Sequence, residues 1–231
     1  MSFNTQHCLN YKERVIDFSI MAETIKSCGA DIVGLNEMRD KGEAEYYTAQ
    51  TEELSRLTGL EHFFFAKAID VKGNNPYGNG ILSRYPIISA ETIPVPSPKP
   101  EEREASGYYE SRCLLKARLE CGLTVLVIHF GLNPDEQRLA VKAVLENLES
   151  EKCILMGDFN VTPDNEVLAP IRARMNDAAE AFREPLLSFP SDEPKIKIDY
   201  IFLSHDIDLL EADIPAIVAS AHRPHTAEIE L

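Results

Sequence analysis

The chain of 231 residues carries 23 basic and 38 acidic side chains, a net charge of −15, and 44% of its residues are hydrophobic. This apolar share can bury a sizeable core, which excludes an intrinsically disordered chain. The acidic balance argues against a protein that grips nucleic acid through a basic surface, because such proteins cluster Lys and Arg. A polyanion would reach this surface only through a local site or a bound cation.

The N-terminal sequence and the cysteines indicate a cytoplasmic protein, which we expect to be a monomer. Residues 1–7 contain no basic region followed by an apolar stretch, and no segment reaches the roughly 18 apolar residues that span a bilayer. We therefore expect no stable membrane insertion. The five cysteines form no CxxC pair, and the several that lie inside apolar segments are expected to be reduced core thiols: they are drawn from Cys8, Cys28, Cys113, Cys121 and Cys153. A secreted chain whose signal peptide had been removed would show the same pattern.

The predicted elements describe one α/β domain that covers residues 1–231. In the first half, hydrophobic spacing predicts a strand that starts near Met1. It is followed in chain order by a helix over 12–28, a strand over 31–35, a helix over 43–58 and strands over 61–70 and 79–85. Pro86 is expected to end the last of these strands.

Residues 94–110 are predicted to form a mobile surface loop, because prolines alternate with other residues over 94–100 and an acidic run follows. After this loop the predicted elements are hairpin strands over 111–119 and 123–130, a helix over 134–149, a strand over 153–157, a helix near 164–174 and strands over 196–203 and 225–231. Helices join some strands and hairpins join others, which favours a sandwich with mixed sheets.

Several apolar runs end in a polar residue suited to metal or phosphate chemistry. Glu37 follows the strand over 31–35, His129 lies at the end of an apolar strand, and Asp158 follows the next one. Because strand ends of one sheet share an edge, these residues and Asp199 could converge. Carboxylates packed closely need a cation or a proton between them. Oxygen-rich ligands favour Mg²⁺ or Mn²⁺ over Zn²⁺.

Each of these residues also has an ordinary structural explanation. A glutamate after a strand is usually solvated, Asp158 could cap a simple turn, and a buried His129 is more often structural. Asp199 is harder to explain in this way, because a carboxylate inside the apolar run 198–203 needs a partner if it faces the core. The ordered set therefore predicts a functional site more strongly than any single member.

This ordered set resembles the endonuclease/exonuclease/phosphatase superfamily. The matching motifs are Asn4, Gly34-Leu35-Asn36-Glu37, residues 78–84, the strand ending in His129, Gly157-Asp158-Phe159-Asn160, Ile198-Asp199-Tyr200 and Ser220-Ala221-His222-Arg223-Pro224. They span nearly the whole chain and are specific for the superfamily but not for a substrate. The resemblance implies a four-layer α/β/β/α sandwich with two mixed sheets, and divalent-metal-dependent hydrolysis of a phosphoester.

The resemblance also implies catalytic roles for individual residues. Asp158 would orient or deprotonate the attacking water, and Asn160 would hold a phosphate oxygen or help at the metal. His222 would contact the scissile phosphate, with Asp199 fixing its tautomer. His129 would be a second phosphate contact.

Further positions are implied for the cofactor and the substrate. Glu37 would be the main ligand of Mg²⁺ or Mn²⁺, with Asn4 close by. Asn79 and Arg112 would bind the substrate, and the guanidinium of Arg112 could grip a phosphate with two hydrogen bonds. No serine or cysteine is expected to act as a covalent nucleophile.

One motif departs from the superfamily pattern, which usually reads Ser-Asp-His where this chain has Ser220-Ala221-His222. That aspartate ordinarily supports the metal or the water, so its loss implies an impaired enzyme. Ala221 is either natural or an engineered substitution made to trap substrate. The other motif residues are intact, and this favours engineering.

Three functions remain open at this point. The first is hydrolysis of a small or lipid-linked phosphoester, which the charge of −15 favours. The second is a DNA or RNA nuclease of the same superfamily, and the third is a non-catalytic binding module that kept the pocket. The choice of substrate is expected to lie in loops 71–78, 94–110 and 184–195.

Overall fold

Two mixed β-sheets face each other in the computed structural model, which describes residues 1–230. The first sheet has the strand order β1-β2-β4-β3. Its strands are β1 (Ser2–Asn4), β2 (Ile32–Arg39), β3 (His62–Asp70) and β4 (Pro76–Ser83). β1 and β2 run parallel, whereas β4 is antiparallel to both of its neighbours.

The second sheet has the strand order β5-β6-β7-β8-β10-β9. Its strands are β5 (Ile87–Pro94), β6 (Cys113–Leu119), β7 (Thr124–His129), β8 (Cys153–Asp158), β9 (Met175–Asp177) and β10 (Asp199–Ser204). β7 and β8 are parallel and the other pairs are antiparallel. A separate ribbon pairs β11 (Leu209–Asp213) with β12 (Thr226–Ile229).

Helices cover the outer face of each sheet. α1 (Phe18–Ser27) and α2 (Gln50–Thr58) belong to the first sheet, and α3 (Pro134–Asn147) and α4 (Ala169–Arg172) to the second. Local sequence sets their ends. Asp17 accepts hydrogen bonds from two N–H groups of α1 and so caps it. Pro134 starts α3, where its missing N–H leaves no hydrogen bond unmade.

Three apolar clusters separate the four layers. One lies between α1, α2 and the first sheet, and it includes Phe3, Met21 and Leu54. Another lies between the sheets, and the last lies between the second sheet and α3. Strand alternation divides β7 between the latter two, since Val127 faces the first sheet and Ile128 faces α3. This arrangement confirms the predicted α/β/β/α sandwich with two mixed sheets.

Glycine allows the two sheets to approach closely at Gly34. A Cβ atom there would lie 2.6 Å from the sulfur of Met156 and 3.0 Å from a methyl of Val127. The sheet edges that carry Asn4, Glu37 and Asp158 are therefore brought close enough to share one site.

The structure corrects several predicted boundaries. α2 begins at Gln50 rather than at 43, and the helix expected over 12–28 begins at Phe18. β5 has no predicted counterpart: Pro86 ends the preceding strand as expected, but a new strand begins directly after it. It is an edge strand with mostly exposed side chains, and its apolar pattern is weak. The helix expected near 164–174 is a short 3₁₀ turn followed by the single turn of α4.

Other short elements lack a strong sequence signal. β9 has three residues and β11 lies in an exposed ribbon, so neither shows a clear period. Within the loop expected over 94–110, residues 100–102 form a 3₁₀ turn. Of the strand expected over 225–231, the last residue lies outside the described residues. All five cysteines are free, and the expected burial holds for Cys8, Cys113 and Cys153. No helix within residues 1–230 is long and apolar enough to cross a membrane.

Candidate active site

Polar residues from both sheets meet at one edge of the sandwich. Asn4 is the last residue of β1, His129 ends β7, and Asp158 ends β8. Asp199 begins β10, which runs antiparallel to β8, and it is paired directly opposite Asp158. Strand direction alone therefore brings together residues that lie far apart in the sequence. We call this edge, with its loops, the active edge.

His222 lies against two buried carboxylates. Its Nδ1 is 2.9 Å from Oδ2 of Asp199, and its Nε2 is 3.7 Å from Oδ2 of Asp158. Asp199 is fully buried and Asp158 nearly so. The ring of Phe189 packs on the imidazole at a centroid distance of 4.8 Å. The geometry fixes both the orientation and the hydrogen-bonding partner of the imidazole.

The charges of His222, Asp158 and Asp199 affect one another's protonation. Burial favours the neutral forms of both His222 and Asp158. At the imidazole, however, the carboxylates of Asp199 and Asp158 outweigh burial and raise the pKa of His222 to about 9. Burial raises the pKa of Asp158 to about 7, against the opposing effect of the His222 charge. The cluster therefore favours a protonated imidazole at His222 and makes Asp158 a stronger proton acceptor than an ordinary aspartate.

Asn4 joins the carboxylates of the two sheets. Its Nδ2 donates to Oε1 of Glu37 and to Oδ2 of Asp158, both at 3.0 Å, while its Oδ1 accepts from the N–H of Gln6. Glu37 has a φ of 61° at an irregularity in the pairing of β2 with β4. A non-glycine residue in the left-handed region is strained, and such strain is concentrated at functional sites.

Asn36 ties the two sheets together beneath the site. Its Nδ2 donates to Oδ1 of Asn79 and to the carbonyl of Ile128, and its Oδ1 accepts from the N–H of Asp158, each at 2.9 Å. Asn36 belongs to the motif Gly34-Leu35-Asn36-Glu37, but the sequence predicted no structural or catalytic role for it. The signal available was an amide at the end of a buried apolar run, which must find partners.

The residues expected to bind substrate lie at different depths. Asn79 is buried, and its Nδ2 donates to the carbonyl of Cys113 at 3.0 Å, so its amide is occupied within the scaffold. Arg112 is nearer the surface. Its Nη1 lies 2.9 Å from Oε1 of Glu110 and 3.1 Å from Nδ1 of His129. The latter contact requires the His129 nitrogen to accept, because a guanidinium only donates.

His129 and Asn160 are the residues that the second sheet adds to the site beside Asp158. The other ring nitrogen of His129 lies 3.5 Å from Oδ2 of Asp158 and 3.1 Å from Nδ2 of Asn160. Burial, together with the charges of Arg112 and His222, holds the pKa of His129 well below its usual value. The site therefore pairs a charged imidazole, His222, with a neutral one.

Tyr77 was missed by sequence analysis. The Tyr77 phenol lies beside Glu37, and burial together with that carboxylate raises the pKa of Tyr77. Tyr77 is paired with Arg39 across the β2–β4 ladder, next to the irregularity at Glu37. Nothing in the sequence marks this tyrosine, because its partner depends on where β2 departs from regular pairing.

The donor set fits a divalent cation. Ligand atoms of Asp158, Asp199 and His222 lie within 4.8 Å of one another. Oδ1 of Asp199 is buried and has no hydrogen-bond partner among residues 1–230. Glu37 adds a further, partly exposed carboxylate beside Asn4. Carboxylate and amide oxygens of this kind are typical ligands of Mg²⁺ and Mn²⁺.

Ala221 lies in a well-ordered part of this site. It is buried, its carbonyl accepts from the N–H of Ser191 at 2.8 Å, and the neighbouring carbonyl of Ser220 accepts from the Ser191 hydroxyl at 2.6 Å. The backbone that carries His222 is therefore held in place with alanine at position 221.

A two-sheet sandwich with carboxylates and imidazoles gathered at one edge defines the class of DNase I-like folds. The sequence model described as the Endonuclease/Exonuclease/phosphatase family matches residues 1–222, and the chain belongs to that family. Comparison with curated protein sequences gives no significant match.

Solved structures of low sequence identity share the fold. An endonuclease/exonuclease/phosphatase from Beutenbergia cavernae has a TM-score of 0.80 at 19% identity, covering 100% of this chain and 70% of that one. The mannosyl-6-phosphatase Bt3783 from Bacteroides thetaiotaomicron has a TM-score of 0.73 at 15% identity, covering 93% and 90%. Humanized TDP2 from D. rerio has a TM-score of 0.67 at 16% identity, covering 100% and 97%.

Proposed function

We propose that the protein is a divalent-metal-dependent hydrolase of small phosphoesters, in which an activated water attacks phosphorus in line. The observation that carries this proposal is the contact of His222 with both Asp199 and Asp158. An imidazole between two buried carboxylates, beside the carboxylate of Glu37, supplies both a cation site and groups that handle protons. Family membership supports the same reaction class.

The proposed roles follow from the charges of these groups. Asp158, with a pKa of about 7, orients the attacking water and can take up its proton. His222, protonated below a pKa of about 9, offsets the charge that develops on the phosphate oxygens. Asp199 holds the Nδ1 proton of His222, so that Nε2 faces the site.

Further residues hold the cation and the phosphate. Glu37 would hold Mg²⁺ or Mn²⁺, which supplies Lewis acidity to the phosphate when bound. Asn4 donates its amide N–H to Glu37 and would position that carboxylate; it would itself be a ligand only with its amide reversed. Asn160 and His129 would contact a phosphate oxygen beside Asp158. Arg112 contacts Nδ1 of His129 and so holds that imidazole in place beside Asp158.

A small phosphoester is proposed over nucleic acid because of the overall charge of −15. A nuclease would need to hold a polyanion against this surface. One structural neighbour, Bt3783 from Bacteroides thetaiotaomicron, is named a mannosyl-6-phosphatase, and this supports a small phosphomonoester as the substrate. The cytoplasmic location and monomeric state remain proposals from the sequence.

A substrate panel tests the proposal. The chain and its Ala221→Asp variant are assayed with Mg²⁺ and with Mn²⁺ on sugar phosphates, inositol phosphates, bis(p-nitrophenyl) phosphate, plasmid DNA and RNA. We expect hydrolysis of small phosphoesters, with higher rates in the variant and little dependence on salt. Preferential cleavage of DNA or RNA, with a rate that falls steeply as salt rises, would favour the nuclease instead.

A flat panel in both proteins, with metal binding shown by calorimetry, would favour the binding module. If the chain with Ala221 is active and aspartate gives no gain, the trapping explanation of Ala221 is wrong.

A further inference from the structure

Large exposed apolar side chains are concentrated at the active edge. Among residues 1–230, nine such side chains stay strongly exposed. Six of them lie on loops at this edge: Val15, Ile16, Tyr46, Tyr108, Leu132 and Ile196. The other three, Phe63, Ile88 and Leu210, lie on strands away from it. Single exposed apolar residues are common, but their collection around one site calls for a partner.

Tyr108 and Leu132 lie on two loops that are bonded to each other. Their exposed fractions are 69% and 63%, and the Asn133 side chain donates to the carbonyl of Tyr108 at 2.9 Å. Leu132 is three residues beyond His129 in the sequence. The Tyr108 hydroxyl donates to Oε2 of Glu110 at 3.2 Å. Because Glu110 also pairs with Arg112, this loop pair forms the border of the site beside Arg112.

A second apolar pair borders the opposite side of the site. Phe189, whose ring packs on His222, forms an isolated backbone bridge with Ile196. Ile196 is 37% exposed. Phe189 and its bridged neighbour Ile196 therefore form an apolar border beside the imidazole of His222.

Three cations in and beside the loop that carries Tyr108 are paired with glutamates. Arg112 pairs with Glu110, Lys99 with Glu102, and Arg138 with Glu104. A fourth, Arg103, lies over the ring of Tyr109 at 4.3 Å. Carboxylates therefore accompany most cations of this border, which favours an apolar group over an anionic chain.

We propose that the substrate is a water-soluble phosphoester whose organic group is apolar, aryl or alkyl, and packs on Tyr108 and Leu132. This inference rests on the proposed phosphoester hydrolysis and specifies the substrate class for the same site. The phosphate contributes the charge that the metal and His222 bind, and the organic group contributes apolar area that is removed from water on binding.

Binding of two phosphonates tests this proposal. Hexylphosphonate and methylphosphonate carry the same phosphonate group. A phosphoester hydrolase does not cleave their carbon–phosphorus bond, so binding can be measured without turnover. Calorimetry with Mg²⁺ is expected to show at least tenfold tighter binding of hexylphosphonate to the chain. Leu132→Ser and Tyr108→Ser should each reduce this ratio to about threefold or less while leaving the affinity for inorganic phosphate unchanged.

Leu210→Ser is the matched control, because Leu210 is 59% exposed on β11 and lies away from the active edge. Leu210→Ser should keep the full ratio of affinities for hexylphosphonate and methylphosphonate. Equal binding of the two phosphonates, or an equal loss of the ratio in Leu210→Ser, contradicts the proposal. Binding to phosphatidic acid vesicles but not to hexylphosphonate contradicts it as well, since the ligand is proposed to be water-soluble.

Failure of this inference can be separated from failure of the proposed function. If the protein hydrolyses phosphoesters with metal but binds the two phosphonates equally, the proposed function stands and the proposed apolar group of the substrate is wrong. If inorganic phosphate and both phosphonates fail to bind in the presence of Mg²⁺, the phosphoester function and this inference are both wrong.

Discussion

Asp158 and Asp199 lie directly opposite each other on β8 and β10, and each has a carboxylate oxygen near His222. Two buried carboxylates in register would repel each other if both were charged without a compensating cation. The imidazole of His222 supplies one such charge, and a divalent metal would supply another. This pairing is the feature on which the proposed chemistry depends.

The Asp199–His222 contact is expected to control the protonation of the imidazole. Replacing Asp199→Asn removes the carboxylate charge but keeps the side-chain volume. Because burial then prevails, the pKa of His222 should fall from about 9 to near or below its usual value of 6.5. Ring NMR shifts followed over pH 5–10 measure this directly. Any phosphoesterase activity should fall roughly 10²- to 10⁴-fold.

His205→Gln provides the control for that measurement, since His205 is exposed and contacts Asn176 instead. It should leave the titration of His222 unchanged. A pKa of His222 that stays near 9 in Asp199→Asn would show that Asp199 does not hold the proton.

Asn36 is expected to stabilise the junction of the two sheets. Asn36→Ala removes partners from Asn79, from the carbonyl of Ile128 and from the N–H of Asp158. Each buried group left without a partner costs about 1–3 kcal/mol. We expect the free energy of unfolding in urea to fall by about 3 kcal/mol or more. Asn147→Ala, which loses one bond to Ala143, should cost about 1 kcal/mol. Equal losses in the two variants would contradict this role of Asn36.

Gly157 is expected to be indispensable for bringing β7 and β8 together at the site. Its φ is 148°, and a Cβ atom would overlap the carbonyl oxygen of Ile128. Gly157→Ala should therefore push apart the strands that carry His129 and Asp158. We expect it to destabilise the fold by several kcal/mol in thermal or urea unfolding, on the order of the largest single-residue effects.

Gly122→Ala is the comparison, because Gly122 also has a positive φ, 95°, but a Cβ atom there meets only the Lys152 side chain at 3.8 Å. It should cost about 1–2 kcal/mol from backbone strain alone. If Gly157→Ala is no more destabilising than Gly122→Ala, close strand approach is not what requires glycine.

Lys197 is expected to make stability rise at alkaline pH. Burial, only partly offset by Asp177 and Asp199, lowers the pKa of Lys197 from 10.5 to about 8. Between pH 8 and 10.5 the unfolded chain binds this proton more tightly than the folded chain does. The free energy of unfolding should therefore gain, as pH rises through this window, on the order of 3 kcal/mol from this group.

The difference in unfolding free energy between the chain and Lys197→Met isolates this contribution, because other alkaline titrations cancel. The unfolding free energy of the protein with Lys197 should increase relative to that of Lys197→Met from pH 8 to 10.5. A difference that is constant over this range, or that falls, would contradict the buried position of the charge.

The sequence was sufficient to predict the fold class because the strongest elements are long and periodic. The buried strands β7, β8 and β10 and the helix α3 were all recognised from their apolar patterns. The edge strand β5 was not, because its side chains are mostly exposed and prolines border it. Short elements such as β9 and α4 depend on the surrounding fold rather than on their own composition.

The candidate site was predictable to a similar extent. Motif residues such as Asp158, Asp199 and His222 do come together at one edge. The contacts of Asn36, Tyr77 and Glu110 could not be predicted, because they depend on an irregularity in β2 and on the approach of separate loops.

The most direct test of the proposed function is metal-dependent hydrolysis of bis(p-nitrophenyl) phosphate by the Ala221→Asp protein. Activity is measured with Mn²⁺, with EDTA and in the additional variant Asp158→Asn. Asp177→Asn is the control, because Asp177 is a buried carboxylate on the edge strand β9, away from His222. The proposal predicts that the Ala221→Asp protein releases p-nitrophenol with Mn²⁺ and that EDTA abolishes this activity. Adding Asp158→Asn should lower the rate at least 10²-fold, whereas adding Asp177→Asn should leave it unchanged. Hydrolysis that persists in EDTA or in Asp158→Asn, or its absence despite bound metal, would contradict it.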